Sequence, residues 1–170
     1  MRGLHPLLMC AILVGFGGCA GYRLGPSNGM AAGSRSIQVA PFLNETIEPR
    51  LSDAVVTSIR RLLQQDGTFT LNTQGDGDVV LKGVITKYDR TALSFEPRDI
   101  LTVRDYNVVI TAKVTAVDRI SGKTVLDREV KGRTTVRTGA NQPSAELQAV
   151  SLLADDLARN LTSLLVDGTW

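Results

Sequence analysis

The chain has 170 residues, of which 43 % are hydrophobic, 5 % aromatic and 21 % charged, with a formal net charge of +2. That length supports one domain with a real core and not two. The ordinary charged fraction excludes a disordered chain or a coiled coil, and the small net charge removes the global basic field that a nucleic-acid partner would select.

Residues 1–18 come first. Arg2 supplies a positive charge, Leu7 to Val14 form an apolar run, and Gly15, Gly17 and Gly18 follow. This is the pattern of a secretory signal. The run is about half of the ~20 residues that span a bilayer. Gly17-Gly18-Cys19 resembles a bacterial lipobox, with Phe16 where leucine is usual. The expectation is a lipoprotein signal peptide over 1–18, cut before Cys19, whose thiol is acylated. Removal of Cys10 with the signal leaves Cys19 no disulfide partner. The single histidine, His5, leaves with the same segment. The mature chain then lacks the residues for Ser-His or Cys-His nucleophile pairs and for His- or Cys-ligated zinc. We therefore expect no enzyme, no catalytic residue, no metal site and no cofactor. "GDGD" at 75–78 reads as a turn, not a phosphate loop.

Residues 19–35 form a lipidated N-terminus and a Gly-, Ala- and Ser-rich tether, and the folded domain is expected over 36–170. "SIQVAPF" at 36–42 alternates Ile37 and Val39 on one face and reads as a short strand ended by Pro41. Pro49 opens a helix over 49–66, with Leu51, Val55, Ile59 and Leu62 on one face and Gly67 as its left-handed cap. Arg50, Asp53, Ser58, Arg60, Arg61 and Gln64 fall outside that face. Strands follow at 69–73 and 79–90, the second with Leu81 and Ile85 on one side and Lys82, Val84 and Thr86 on the other. "TALSFEPRDILTVRD" at 91–105 reads as a loop, because Pro97 bars a regular central strand. In "YNVVITAKVTAVD" the residues Val108, Ile110, Ala112, Val114 and Ala116 face inward, opposite Asn107, Thr111, Lys113 and Thr115. "RISGK" is a hairpin turn, and the returning strand at 124–138 turns Leu126, Val130 and Val136 inward. The last helix begins at Pro143 and Ser144, with Ser144 as N-cap and an apolar face of Val150, Leu153, Leu157, Leu161 and Leu164. Asp155, Asp156, Arg159 and Ser163 lie outside it. The predicted fold class is α+β: a two-layer sandwich with two amphipathic helices on one face of a mixed sheet of four or five strands.

Four pieces in order, "CAGYRLG", "IQVAPFLNETIEPRL", "DVVLKGVITKYDR" and "VTAVDRISGKTVL", resemble the LptE family of lipopolysaccharide-assembly outer membrane lipoproteins. The resemblance covers nearly all of residues 19–170. It implies a Gram-negative outer membrane protein held by its N-terminal lipid on the periplasmic side. It also implies a plug in the lumen of the LptD β-barrel that helps the barrel assemble and helps lipopolysaccharide reach the cell surface. The implied partners are LptD, lipopolysaccharide and the outer membrane, with no nucleic acid. Ala20, after the lipidated cysteine, is compatible with outer-membrane sorting. Another kind of envelope lipoprotein, binding a periplasmic enzyme as a peptidoglycan synthase activator does, shares parts of the pattern. Lipid A phosphates would call for cations, and Lys82, Lys113, Lys131 and Arg133 fall on the polar sheet face in the register read here. An ordinary solvated sheet face carries such residues too. Asn44 and Thr46 are assigned to the turn before the first helix, and Trp170 to either a partner surface or the core.

Overall fold

The computed structural model describes residues 31–137 and 142–168. Strand β1 (Arg35–Val39) lies between β3 (Phe69–Asn72) and β4 (Val79–Glu96), parallel to both. The two-residue β2 (Leu43–Asn44) continues this parallel pairing along β4, opposite Val84 and Ile85. Strands β5 (Asp99–Asp118) and β6 (Thr124–Arg137) complete the sheet with antiparallel partners, giving the order β3-β1-β4-β5-β6. Helix α1 (Leu51–Asp66) connects β2 to β3, and α2 (Gln142–Val166) follows β6. The result is the expected two-layer α+β fold, with six strands.

The core lies between sheet and helices. Leu51, Val55 and Ile59 of α1 and Leu153, Leu157, Leu161 and Leu165 of α2 are fully buried against Ile37, Leu81, Ile85 and the inner row of β5. Each such side chain contributes about 1.5–3 kcal/mol by leaving water. The α1 residues keep helical spacing, and Gly67 caps the helix at φ 74° with its N–H on the Leu63 carbonyl. Val108, Ile110, Ala112, Val114 and Ala116 are all buried, as their alternation predicts.

Several local expectations are corrected. Residues 91–105 are not a loop: β4 runs to Glu96 and β5 starts at Asp99, so Pro97 and Arg98 form the tight turn of a long hairpin. Proline is excluded from a central strand but suits a turn, where its fixed φ is already correct. Helix α1 begins at Leu51, two residues late, because Pro49 and Arg50 complete a turn. Asn44 organises that turn: its side-chain oxygen accepts from Thr46 N–H (3.0 Å) and Thr46 Oγ1 (2.8 Å), and its amide donates to the Glu48 carbonyl (2.8 Å). Helix α2 begins at Gln142, which puts Ser144 inside the first turn and not at the cap. At the far end of α2 the buried position is Leu165, while Leu164 is 40 % exposed. Ser58 and Asp155 are not on outer faces. They meet between the helices, where Ser58 Oγ donates to Asp155 Oδ1 at 2.6 Å and Arg61 reaches the same oxygen at 2.8 Å. Residue 58 lies beside 155, and residues 62–66 lie beside 159–167, so the two helices run parallel.

Two carboxylates pin the ends of the long strands. Asp118 Oδ1 accepts Ile120 N–H (3.0 Å) and Ser121 N–H (2.9 Å), which shapes the β5–β6 turn, and its other oxygen pairs with the Arg35 guanidinium. The Ser121 bond is the main reason its pKa falls from an ordinary 3.8 to about 2. Asp105 joins three strands: it accepts from Ser94 Oγ of β4 at 2.5 Å and from Arg104 and Arg137 at 3.0 Å each. The Ser94 hydroxyl and then the two arginines pull it to about 2 as well. Both folded-state values lie below the unfolded ones, so unfolding takes up protons in acid. The stabilisation is complete above about pH 4 and is lost as pH falls towards about 2. Denaturant midpoints measured across that range should fall with acid, and Asp118→Asn should flatten the fall. A profile unchanged by that substitution removes Asp118 as a source.

Candidate functional site

The side of the sheet opposite the helices has no second layer among the described residues. Its side chains form cross-strand rows over β4, β5 and β6. Lys82 stands opposite Thr115, which stands opposite Asp127. Val84, Lys113 and Glu129 form the next row, then Lys87, Thr111 and Lys131, then Asp89, Val109 and Arg133. All four predicted cations, Lys82, Lys113, Lys131 and Arg133, therefore lie on this one face.

Lys87 belongs there too, and strict alternation misses it. Ile85 pairs with Ala112 and Lys87 with Thr111, so Thr86 is an extra residue, a β-bulge. The bulge moves the odd-numbered residues of β4 onto the polar face from Lys87 to Thr91, until a second register shift between Ala92 and Ser94. A visible signal was the spacing of three between Ile85 and Tyr88, where a regular strand keeps spacings of two. With Arg137 opposite Asp105 in the same set of rows, six cations then share the face with Asp89, Asp105, Asp127 and Glu129, so it is mixed in sign with a positive excess.

The four cations divide into two pairs. Lys82 and Lys113 line a groove of about 350 Å³ whose other walls include Pro41, Leu43, Val84 and Thr115. Leu43 is 67 % exposed, which makes the groove cationic on one side and apolar on the other. Lys131 and Arg133 sit on the edge strand, above a second groove against α2. There the backbone of β6 is already occupied: Arg133 N–H donates to Asp156 Oδ2 (2.9 Å), and Asn160 Nδ2 donates to the Lys131 carbonyl (2.8 Å). These two bonds cover a free sheet edge, a position that otherwise invites pairing with another chain. Lys131 also lies 3.7 Å from Glu129, an exposed pair of small energetic weight.

Elsewhere the described residues hold no group of three His, Cys, Asp or Glu side chains placed to bind a metal ion. No helix among them is long and apolar enough to cross a membrane. Cys19 and Trp170 lie outside the described residues.

Fold and face together define an open-faced two-layer α+β domain, with its core on one side of the sheet and a cationic, uncovered surface on the other. The LptE family model, described as lipopolysaccharide-assembly, matches residues 34–166, and the chain belongs to that family. Solved structures share the fold. A hypothetical protein of Chlamydia trachomatis superposes with a TM-score of 0.59 at 12 % identity, covering 82 % of this chain and 98 % of its own. A protein of Xanthomonas campestris gives 0.59 at 11 % identity, with 85 % and 91 % covered. A minor lipoprotein of Acinetobacter baumannii gives 0.53 at 16 % identity, with 78 % and 92 % covered. A comparison with curated proteins gives no match.

Proposed function

We propose that the protein is an outer membrane lipoprotein, anchored through an acylated Cys19, that plugs the LptD β-barrel and assists lipopolysaccharide on its way to the cell surface. The observation that supports this most is the open polar sheet face in a chain of the LptE family. Such a domain can be enclosed by a larger protein while its own core stays dry on the helix side. Several acyl chains, at ~0.8 kcal/mol per buried methylene, would hold it at the membrane. Affinity purification of the lipidated protein from its native envelope tests the partner. A co-purifying outer membrane barrel supports the reading, and a penicillin-binding protein would replace it with the activator reading. The N-terminal peptide from the same preparation reports acylation at Cys19 by its mass.

On this reading Lys82, Lys113, Lys131 and Arg133 meet lipid A phosphates, where charge-assisted hydrogen bonds are the stronger kind. The Lys82–Lys113 groove also offers Leu43 and Pro41 to an apolar neighbour of the phosphate. Changing all four cations to Ser or Gln should weaken lipopolysaccharide binding, and binding by the parent should weaken with salt. The melting temperature should hardly move, because exposed substitutions usually stay within about 0.5 kcal/mol. Unchanged binding would return the four residues to an ordinary solvated surface.

A further inference from the structure

In an unbroken strand Lys87 would share the core face with Ile85. The extra residue Thr86 turns it to the open face, and the Thr86 hydroxyl fixes the bulge by donating to the Thr111 carbonyl at 3.3 Å. Bulges re-aim single side chains in this way and are frequent beside functional sites. Lys87 then stands opposite Thr111, which stands opposite Lys131 on β6. Two strand separations put the two lysines about 10 Å apart at the backbone, with only the short, buried Thr111 between them. Lys113 is next along β5 on the same face, and Arg133 is next along β6. All four cations are exposed. Two acids lie close, Glu129 at 3.7 Å from Lys131 and Asp89 two positions beyond Lys87, so the cluster keeps a positive excess. Lys87 and Lys113 form no ion pair among the described residues.

A second observation gives the cluster a direction. In the adjoining row Val84 faces the same way, and Leu43 of β2 pairs with it. Leu43 is largely exposed and, with Pro41, walls the groove beside Lys113. Exposed apolar surface therefore begins one row from the lysines. The patch fits a ligand that is ionic at one end and apolar at the other.

We propose that Lys87, Lys113 and Lys131 form a subsite for a lipid-borne phosphomonoester, with the apolar part of the ligand running over Val84 to Leu43 and Pro41. A monoester carries nearly two negative charges and three strong acceptor oxygens, one for each ammonium. A phosphodiester has one charge and two such oxygens, and matches three lysines less well. The choice of a lipid as the carrier rests on the lipopolysaccharide reading above. Lys87, which stands outside the four cations named there, defines the subsite.

The test titrates the ¹⁵N-labelled full chain, in a neutral maltoside detergent, with glycerol 3-phosphate, dihexanoylphosphatidate and the diester dihexanoylphosphatidylglycerol. We expect saturable amide shifts at Lys87, Thr111, Lys113 and Lys131 with both monoesters, and a dissociation constant on the order of 1 mM for glycerol 3-phosphate. The diester should bind at least about threefold more weakly than the phosphatidate. Lys87→Gln should weaken monoester binding at least about threefold, whereas Lys123→Gln, an equal loss of charge in the β5–β6 turn, should leave it unchanged. Both variants are first checked for a parental melt. Shifts that never saturate, equal binding of the diester, or equal losses in the two variants would each overturn the subsite and leave general attraction to a positive face. Further shifts at Leu43 and Val84, seen with the phosphatidate and not with glycerol 3-phosphate, support the lipid carrier. Their absence overturns it and leaves a free phosphomonoester as the occupant. The probes need neither barrel nor lipopolysaccharide, so a failure of the LptD reading would not be mistaken for a failure of the subsite.

Discussion

Gly132→Ala should destabilise the domain by about 3 kcal/mol or more, read as a shift in the denaturant midpoint with unchanged slope. Gly132 sits in β6, where α2 crosses the strand. A Cβ built there would stand 2.3 Å from the Leu153 carbonyl oxygen and 2.8 Å from both the backbone nitrogen and the Cβ of Leu157. The nearest obstacle is helix backbone, and no rotamer change relieves it. The whole helix must lift from the strand, and Leu153, Leu157, Leu161 and Leu165 would lose packing with it. Truncating Leu157 in the same chain should therefore bring no rescue, because the carbonyl of residue 153 stays in place. Near-parental stability of Gly132→Ala would mean that the helix does not pack this closely.

Gly83 presents the opposite case, and the pair makes a sharp comparison. A Cβ on Gly83 would lie 2.3–2.6 Å from ring atoms of Phe42, so the obstacle is entirely side chain. Phe42 is 3 % exposed, and its ring occupies the space above the strand where a side chain at position 83 would stand. Phe42→Ala should cost about 3–5 kcal/mol through lost burial and the cavity left behind. Gly83→Ala alone should cost about 1–3 kcal/mol through overpacking. In the double variant the new methyl enters the space the ring has left, so the combined cost should fall short of the sum by about 1 kcal/mol or more. Additive losses would show that ring and glycine do not share that space.

Both glycines were plain in the sequence, each alone inside a strand, yet their neighbours were not. A lone glycine in a strand signals a close approach, but it does not say whether a phenylalanine ring or a helix backbone arrives. Phe42 lies 41 positions before Gly83, and Leu153 lies 21 after Gly132. Only the placement of α2 and of the β1–β2 connection brings them together.

The sequence by itself determined the pattern that repeats. Helical spacing over 51–63 and 150–161, and alternation over 107–116, located both helices and the inner face of the longest strand. Burial against one common core enforces those periods. Asn44 and Thr46 were legible because their bonds close within five residues. The four cations were placed on one face because alternation decides the side of a sheet wherever the register is unbroken. Tertiary structure alone decided the rest. The bulge at Thr86, which brings Lys87 to the polar face, is a property of the β4–β5 pairing and not of β4. Pro97 closes a hairpin because two strands meet there; in isolation it reads only as a strand breaker. Ser58 and Asp155 are polar and sit off their helices' main apolar stripes, so sequence puts them in water. They face each other because the crossover from β1 through α1 to the parallel strand β3, and the return from β6, set both helices parallel to one another.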